Sequence, residues 1–173
     1  MIIKNNNILI DNTRKAFTNK SCDVTIIEIK KEDKINEKSF FDLDKQIFEE
    51  NHLKTFRNCQ IYLLHYPQGI KMEISPGIIQ NITEDDDIQK IHHLCSTSTG
   101  SSGCPIINKN NFRIIGIHKA AGNKNFNIGI LLKKPIELFI EEIEKKENYI
   151  NINKIDNYNC NNKENEEKIK IKI

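Results

Sequence analysis

From residue 59 onward, apolar positions cluster in short Ile-rich runs at about 59–66, 71–81, 91–96, 104–108, 112–118 and 126–132. Runs of this length, β-branched and bounded by polar or turn-forming residues, predict strands. Tyr66-Pro67-Gln68-Gly69 supplies a first turn and Glu84-Asp85-Asp86-Asp87 a solvated hairpin tip. Lys109-Asn110-Asn111 supplies a tight connection, in which Asn suits a positive φ. After the last run the period changes. Ile136, Phe139, Ile140 and Ile143 recur at i, i+3, i+4 and i+7, with Pro135 near the first turn, which predicts a closing helix with one apolar stripe.

The first third of the chain is less regular. Ile8-Leu9-Ile10 and Ala16-Phe17 are short apolar runs, and residues 24–29 read as a firmer strand. Charged residues from 30 to 38 interrupt the pattern. Phe40, Phe41, Leu43, Ile47 and Phe48 then recur at roughly helical intervals, predicting a short amphipathic helix or turn. Beyond about residue 145 the composition shifts to Asn, Lys, Glu and Ile, so 148–173 reads as a disordered tail. Its end, Lys168-Ile169-Lys170-Ile171-Lys172-Ile173, alternates like a strand edge or a basic surface-binding segment, with a solvated terminus as the plainer reading.

Composition narrows the function classes. With 173 residues, 38% of them hydrophobic and 29% charged, the chain can bury one sizeable core and part of a second. A formal net charge of +2, with both signs interspersed, gives no broad electrostatic case for nucleic acid or an acidic membrane as partner. No window approaches the roughly 18–20 apolar residues of a membrane span, and Met1-Ile2-Ile3-Lys4-Asn5-Asn6-Asn7 lacks the apolar core of a secretory signal. As written the chain reads as cytoplasmic, or as secreted or lumenal if its N-terminus is incomplete. Cys22, Cys59, Cys95, Cys104 and Cys160 are odd in number and have no C-x-x-C spacing, so they read as free thiols and not as a zinc site or disulfide framework.

The chemistry concentrates in Ser96-Thr97-Ser98-Thr99-Gly100-Ser101-Ser102-Gly103-Cys104-Pro105, small residues wedged between two strand-like runs. A serine attacks an acyl carbon only when it stands free at a tight turn with backbone N–H groups aimed at the developing oxyanion. Gly100 can turn its N–H into one pocket with that of Ser102, Gly103 is expected to keep the space behind the nucleophile empty, and Pro105 sets φ as the chain leaves the turn.

G-S-S-G-C-P at 100–105 resembles the G-x-S-G-x-P signature of trypsin/chymotrypsin-fold serine endopeptidases. Arg113-Ile114-Ile115-Gly116-Ile117-His118 is similar to the strand that follows the nucleophile in that family, and Phe126-Asn127-Ile128-Gly129-Ile130-Leu131 to its last barrel strand. Cys22-Asp23-Val24-Thr25-Ile26-Ile27-Glu28-Ile29 resembles the segment that carries the triad aspartate. The likeness covers about residues 15 to 145 and comes nearest to the branch of the bacterial glutamyl endopeptidases.

The resemblance implies an all-β fold with a trypsin-like six-stranded C-terminal β-barrel, a remnant of the N-terminal barrel and a C-terminal helix. Residues 1–30 would be the remnant, 31–58 an inter-barrel linker with a short helix, 59–147 the second barrel with its closing helix, and 148–173 the tail. It implies Ser102 as nucleophile, Asp23 as orienting acid, and the N–H groups of Gly100 and Ser102 as oxyanion donors. The partner would be a peptide or protein substrate, with no metal and no cofactor; the oligomeric state is left open. Ser96 occupies the pocket-floor position where trypsin-type enzymes carry aspartate, so Lys or Arg at P1 is not expected. Thr97 and His118 match positions that hold an acidic P1 side chain, and Lys119 adds positive charge.

One part is missing from the pattern. The family's order is His, Asp, Ser, yet the first histidine, His52, follows Asp23. In a comparable serine protease, loss of the histidine alone costs about 2 × 10⁶ in kcat. The sequence therefore carries two expectations: an endopeptidase truncated at its N-terminus, or an inactive relative that binds peptides as a scaffold.

Overall fold

The computed structural model describes residue 8, residues 10–122 and residues 125–155; of residues 37 and 147–155 only the backbone is described. Two strands come first, β1 (Ala16–Asn19) and β2 (Val24–Ile27), paired antiparallel as a ribbon. A short helix α1 (His52–Phe56) follows. Six strands then close a barrel: β3 (Gln60–His65), β4 (Glu73–Asp85), β5 (Ile88–His93), β6 (Pro105–Asn108), β7 (Ile114–Ala121) and β8 (Asn127–Leu131). Around the barrel their order is β3-β4-β5-β8-β7-β6, and all six pairings are antiparallel. Helix α2 (Lys133–Ile155) closes the described chain.

Period-2 burial explains why these runs are strands. Along β3, Ile61, Leu63 and His65 point inward while Gln60 is exposed; along β5, Gln89, Ile91 and His93 point inward. Ile61, Leu63, Ile79, Ile91, Ile106, Ile115 and Leu131 are fully shielded and meet in one core with Ile47 and Phe56. Burying each such side chain contributes about 1.5–3 kcal/mol. This is the expected barrel with its closing helix.

Local chemistry moved some boundaries. Asp86 and Asp87 both have positive φ, 49° and 63°, so a two-residue turn lets the ladder run on to the Asp85–Ile88 pair, and β5 starts earlier than its apolar run suggests. In the β6–β7 connection it is Phe112, not an asparagine, that takes a positive φ of 56°. The asparagines there act as acceptors instead: Asn108 Oδ1 accepts from Asn110 N–H and Asn111 Oδ1 from Arg113 N–H. Of the amphipathic segment 40–48 only Lys45–Phe48 is helical, as a 3-10 turn that stops where Glu49 becomes extended, and α1 begins beyond it at His52. Helix α2 continues through residues 148–155, which the composition assigns to the tail; residues 156–173, with their Lys-Ile alternation, lie outside the described residues.

Residues 42–48 strap the barrel from outside. Asp44 N–H donates to Ile114 O at 2.8 Å and Ile114 N–H to Asp42 O at 2.9 Å. The Asp44 carboxylate, buried, accepts from Gln46 N–H and from the side-chain amides of Asn108 and Asn111, both at 2.9 Å. The β1–β2 ribbon rests on α2, where Phe17 packs with Phe139 and Ile143. Arg14, whose guanidinium forks onto the Asp33 carboxylate at 2.7 and 2.8 Å, ties the two ends of the ribbon region together.

Candidate active site

The turn between β5 and β6 is held by its own backbone. Ser101 N–H donates to Ser98 O, Cys104 N–H to Ser101 O, and Gly103 N–H to His118 O on β7. Among the described residues no acceptor meets the N–H of Gly100 or of Ser102. Gly100 has φ +91° and lies so close to the β3–β4 connection that a Cβ there would stand 3.0 Å from Tyr66 O, while Gln68 N–H donates to Thr99 O at 2.7 Å. Both backbone freedom and space therefore require glycine at 100. At Gly103 the sequence expectation is corrected. A Cβ there meets nothing within 4 Å, so its φ of +83°, not a need for empty space, calls for glycine.

Ser101 and Ser102 face opposite ways. Ser101 is fully buried and Ser102 exposed. Ser102 borders a cavity of about 270 Å³, shared with Asp23, Gly103, His118, Lys119 and apolar residues that include Ile117. The fold thus carries Asp23, from the ribbon, to the same cavity as Ser102, from the barrel. Asp23 sits at φ +57° immediately before β2, its side chain 67% exposed, with Oδ2 3.6 Å from Lys119 Nζ. The buried aspartate of the triad template is not what Asp23 is here: the template shields that carboxylate, and here it faces solvent and a lysine. Ser96 is exposed and Thr97 half-buried, and neither lines the cavity.

All five histidines are described, and four are buried. His52 is held between Glu49 O and Gln89 Oε1. Half-buried His92 stacks on Phe126 with ring centroids 4.1 Å apart. His93 Nε2 meets His118 Nδ1 at 3.1 Å, and His65 joins Ser101 to Ser75. Of the five only His118 borders the cavity, and its Nδ1 is engaged with His93. Burial, and then the neighbouring His118, push His93 down to about 4; burial, and then His65, lower His118 as well. Neutral imidazoles are thus favoured at both positions.

Cys104, beside the turn, is buried and its thiol is pushed up to about 11 by desolvation, with Cys95 pushed up to about 12. Such thiols are inert neighbours of the turn. Cys22, Cys59, Cys95 and Cys104 are all free; Cys160 lies outside the described residues. Among the described residues no group of three or more His, Cys, Asp or Glu could hold a metal ion, and no helix is long and apolar enough to cross a membrane. Sequence reasoning missed the buried His65, Ser75 and Ser101 array. Its one advance signal was the placing of polar residues at inward positions of β3 and β4.

No protein-family model matches the sequence, and no curated protein matches it. Solved structures do match. The HtrA-type protease AlgW with a decapeptide is 18% identical, covers 69% of this chain and 36% of its own, and superposes with a TM-score of 0.50. The M. tuberculosis H37Rv protein Rv3671c in an inactive form is 15% identical over 61% of this chain and 53% of its own, with a TM-score of 0.45. This chain therefore spans about half or less of the length of these proteins. The shared fold is the barrel of the trypsin-like serine proteases.

Proposed function

We propose that this chain is a serine-type endopeptidase domain in which Ser102 is the nucleophile. The observation that carries the reading is Ser102 standing exposed at a cavity on a glycine-held turn, with its own N–H and that of Gly100 left without an acceptor. Ser102 Oγ would attack the peptide carbonyl and lose its proton to a general base. The resulting oxyanion would accept hydrogen bonds from Gly100 and Ser102 N–H. Collapse breaks the C–N bond, the leaving amine takes the proton, and water releases the acyl group from Ser102. In the template the base is a histidine held by an aspartate; among the described residues no histidine stands free beside Ser102 to serve.

The likeness of Thr97 and His118 to positions that hold an acidic P1 side chain supports a preference for Glu or Asp at P1; of the two, His118 borders the cavity, and a neutral imidazole can donate to a carboxylate. A second reading is favoured by the engaged histidines: the chain binds an extended peptide without cutting it, as a scaffold module.

Reaction with a fluorophosphonate, followed by peptide mass mapping, separates the two. The expected result is an adduct on Ser102 that disappears in Ser102→Ala, in this chain or in any longer form its cell makes. Absence of the adduct from every such form, combined with retained peptide binding, would establish the scaffold instead.

A further inference from the structure

Behind the exposed Ser102 lies a buried polar array that the acyl chemistry does not use. Ser101 is 0% exposed, His65 3% and Ser75 8%. His65 Nδ1 meets Ser101 Oγ at 2.7 Å, and His65 Nε2 meets Ser75 Oγ at 2.9 Å. Ser101 Oγ also accepts from Ser98 N–H at 3.2 Å, while Ser101 N–H donates to Ser98 O at 3.1 Å. Ser98 and Ser101 are thus closed into a small ring by two opposed hydrogen bonds. The imidazole fastens that ring to β3 on one side and, through Ser75, to β4 on the other.

We propose that His65 is a positioning residue for the nucleophile turn: by holding Ser101 inward it fixes Ser102 outward at the cavity and keeps the N–H groups of Gly100 and Ser102 clear of internal acceptors. The proposal rests on reading Ser102 as the nucleophile. Its physical basis is local. Adjacent side chains in a tight turn diverge, so the direction of Ser101 dictates that of Ser102. A hydroxyl with no access to water must keep a partner, so Ser101 cannot rotate away without leaving both itself and His65 unsatisfied. Gly100, pressed against Tyr66 and Gln68, removes the remaining freedom at the other end of the turn. Three buried polar residues are thereby accounted for by one task, aiming the neighbouring Ser102.

The test uses the full chain and two readouts, amide hydrogen exchange of residues 98–104 and the rate of fluorophosphonate acylation of Ser102. In His65→Ala and in Ser101→Ala, exchange in the turn is expected to rise about tenfold, as the loss of one buried hydrogen bond implies, while amides of β4 and β5 keep their protection. Acylation is expected to slow in parallel. His65→Asn places an amide where Nδ1 stood and is expected to restore both readouts. His65→Gln places it where Nε2 stood and is expected not to. Unchanged turn exchange in Ser101→Ala, or no difference between the Asn and Gln variants, would overturn the proposal. If the unsubstituted protein is never acylated, the peptidase reading falls, and the exchange pattern still decides whether His65 positions the turn. If His65→Ala fails to fold, Ser101→Ala alone carries the test.

Discussion

His93 Nε2 lies 3.1 Å from His118 Nδ1, the two rings set at 74° inside the barrel, and His93 Nδ1 has no partner among the described residues. Only one proton can sit between the facing nitrogens, so the two imidazoles cannot both be charged. Both groups have folded-state values below the ordinary 6.5, His93 down to about 4. The unfolded chain therefore binds protons before the folded one does, and stability falls with pH. The loss is expected to begin near pH 6.5 and to continue down to about 4. Urea midpoints measured across this range check it: His93→Phe should flatten the decline, and an equally steep decline in that variant would assign the effect elsewhere.

A second expectation concerns P1. Thr97→Val or His118→Ala, in a form that cleaves, should lower kcat/KM for peptides with Glu at P1 much more than for peptides with Leu. A buried donor lost against a carboxylate is worth about 1.5–3 kcal/mol, or roughly tenfold to a hundredfold. Equal losses on both peptides would remove the acidic preference.

The two turn glycines should respond differently to a methyl group. Gly100→Ala meets both an unfavourable φ and the Tyr66 carbonyl at 3.0 Å, whereas Gly103→Ala meets the φ alone. A left-handed conformation costs a non-glycine residue about 1–3 kcal/mol. The Gly100 variant should unfold at clearly lower urea than the Gly103 variant, and a reversed order would show that the turn relaxes away from Tyr66.

Asp44 is the strongest single fastening of the strap. Asp44→Ala strips acceptors from the amides of Asn108 and Asn111 at a buried site, at a cost of about 2–3 kcal/mol. By contrast, Asp23→Asn loosens only an exposed ion pair with Lys119 and should change stability by less than about 0.5 kcal/mol. Denaturation of both variants side by side checks the contrast. A fall in Ser102 acylation in Asp23→Asn would then report on chemistry and not on folding.

Much of the barrel is written in local pattern. Ile-rich runs bounded by Tyr66-Pro67-Gln68-Gly69, the acidic tip and the 109–111 connection mark all six strands, because each strand needs only its own alternation and a turn at each end. Boundaries moved where one residue's φ decided them, as at Asp86, Asp87 and Phe112. The site divides the same way. The turn bearing Ser102 is legible from Gly100 and Gly103, since φ is a local property. The Ser101–His65 contact is not: it joins residues 36 apart and exists only once β3 and β4 have closed around it. Asp23 is marked only by resemblance, and its exposure beside Lys119 depends on how the ribbon lies against β7, which no local pattern encodes.

Closure of the barrel also governs what a protease could do to this protein. Strand β3 is laddered to β4 along one side and to β6 along the other, and the connection after it exposes Ile70, 79% accessible. A single cut in that connection would sever the chain without freeing either piece, because each would remain zipped to the other along two seams. The nicked protein should elute as one species in native chromatography and separate into two fragments only in denaturant.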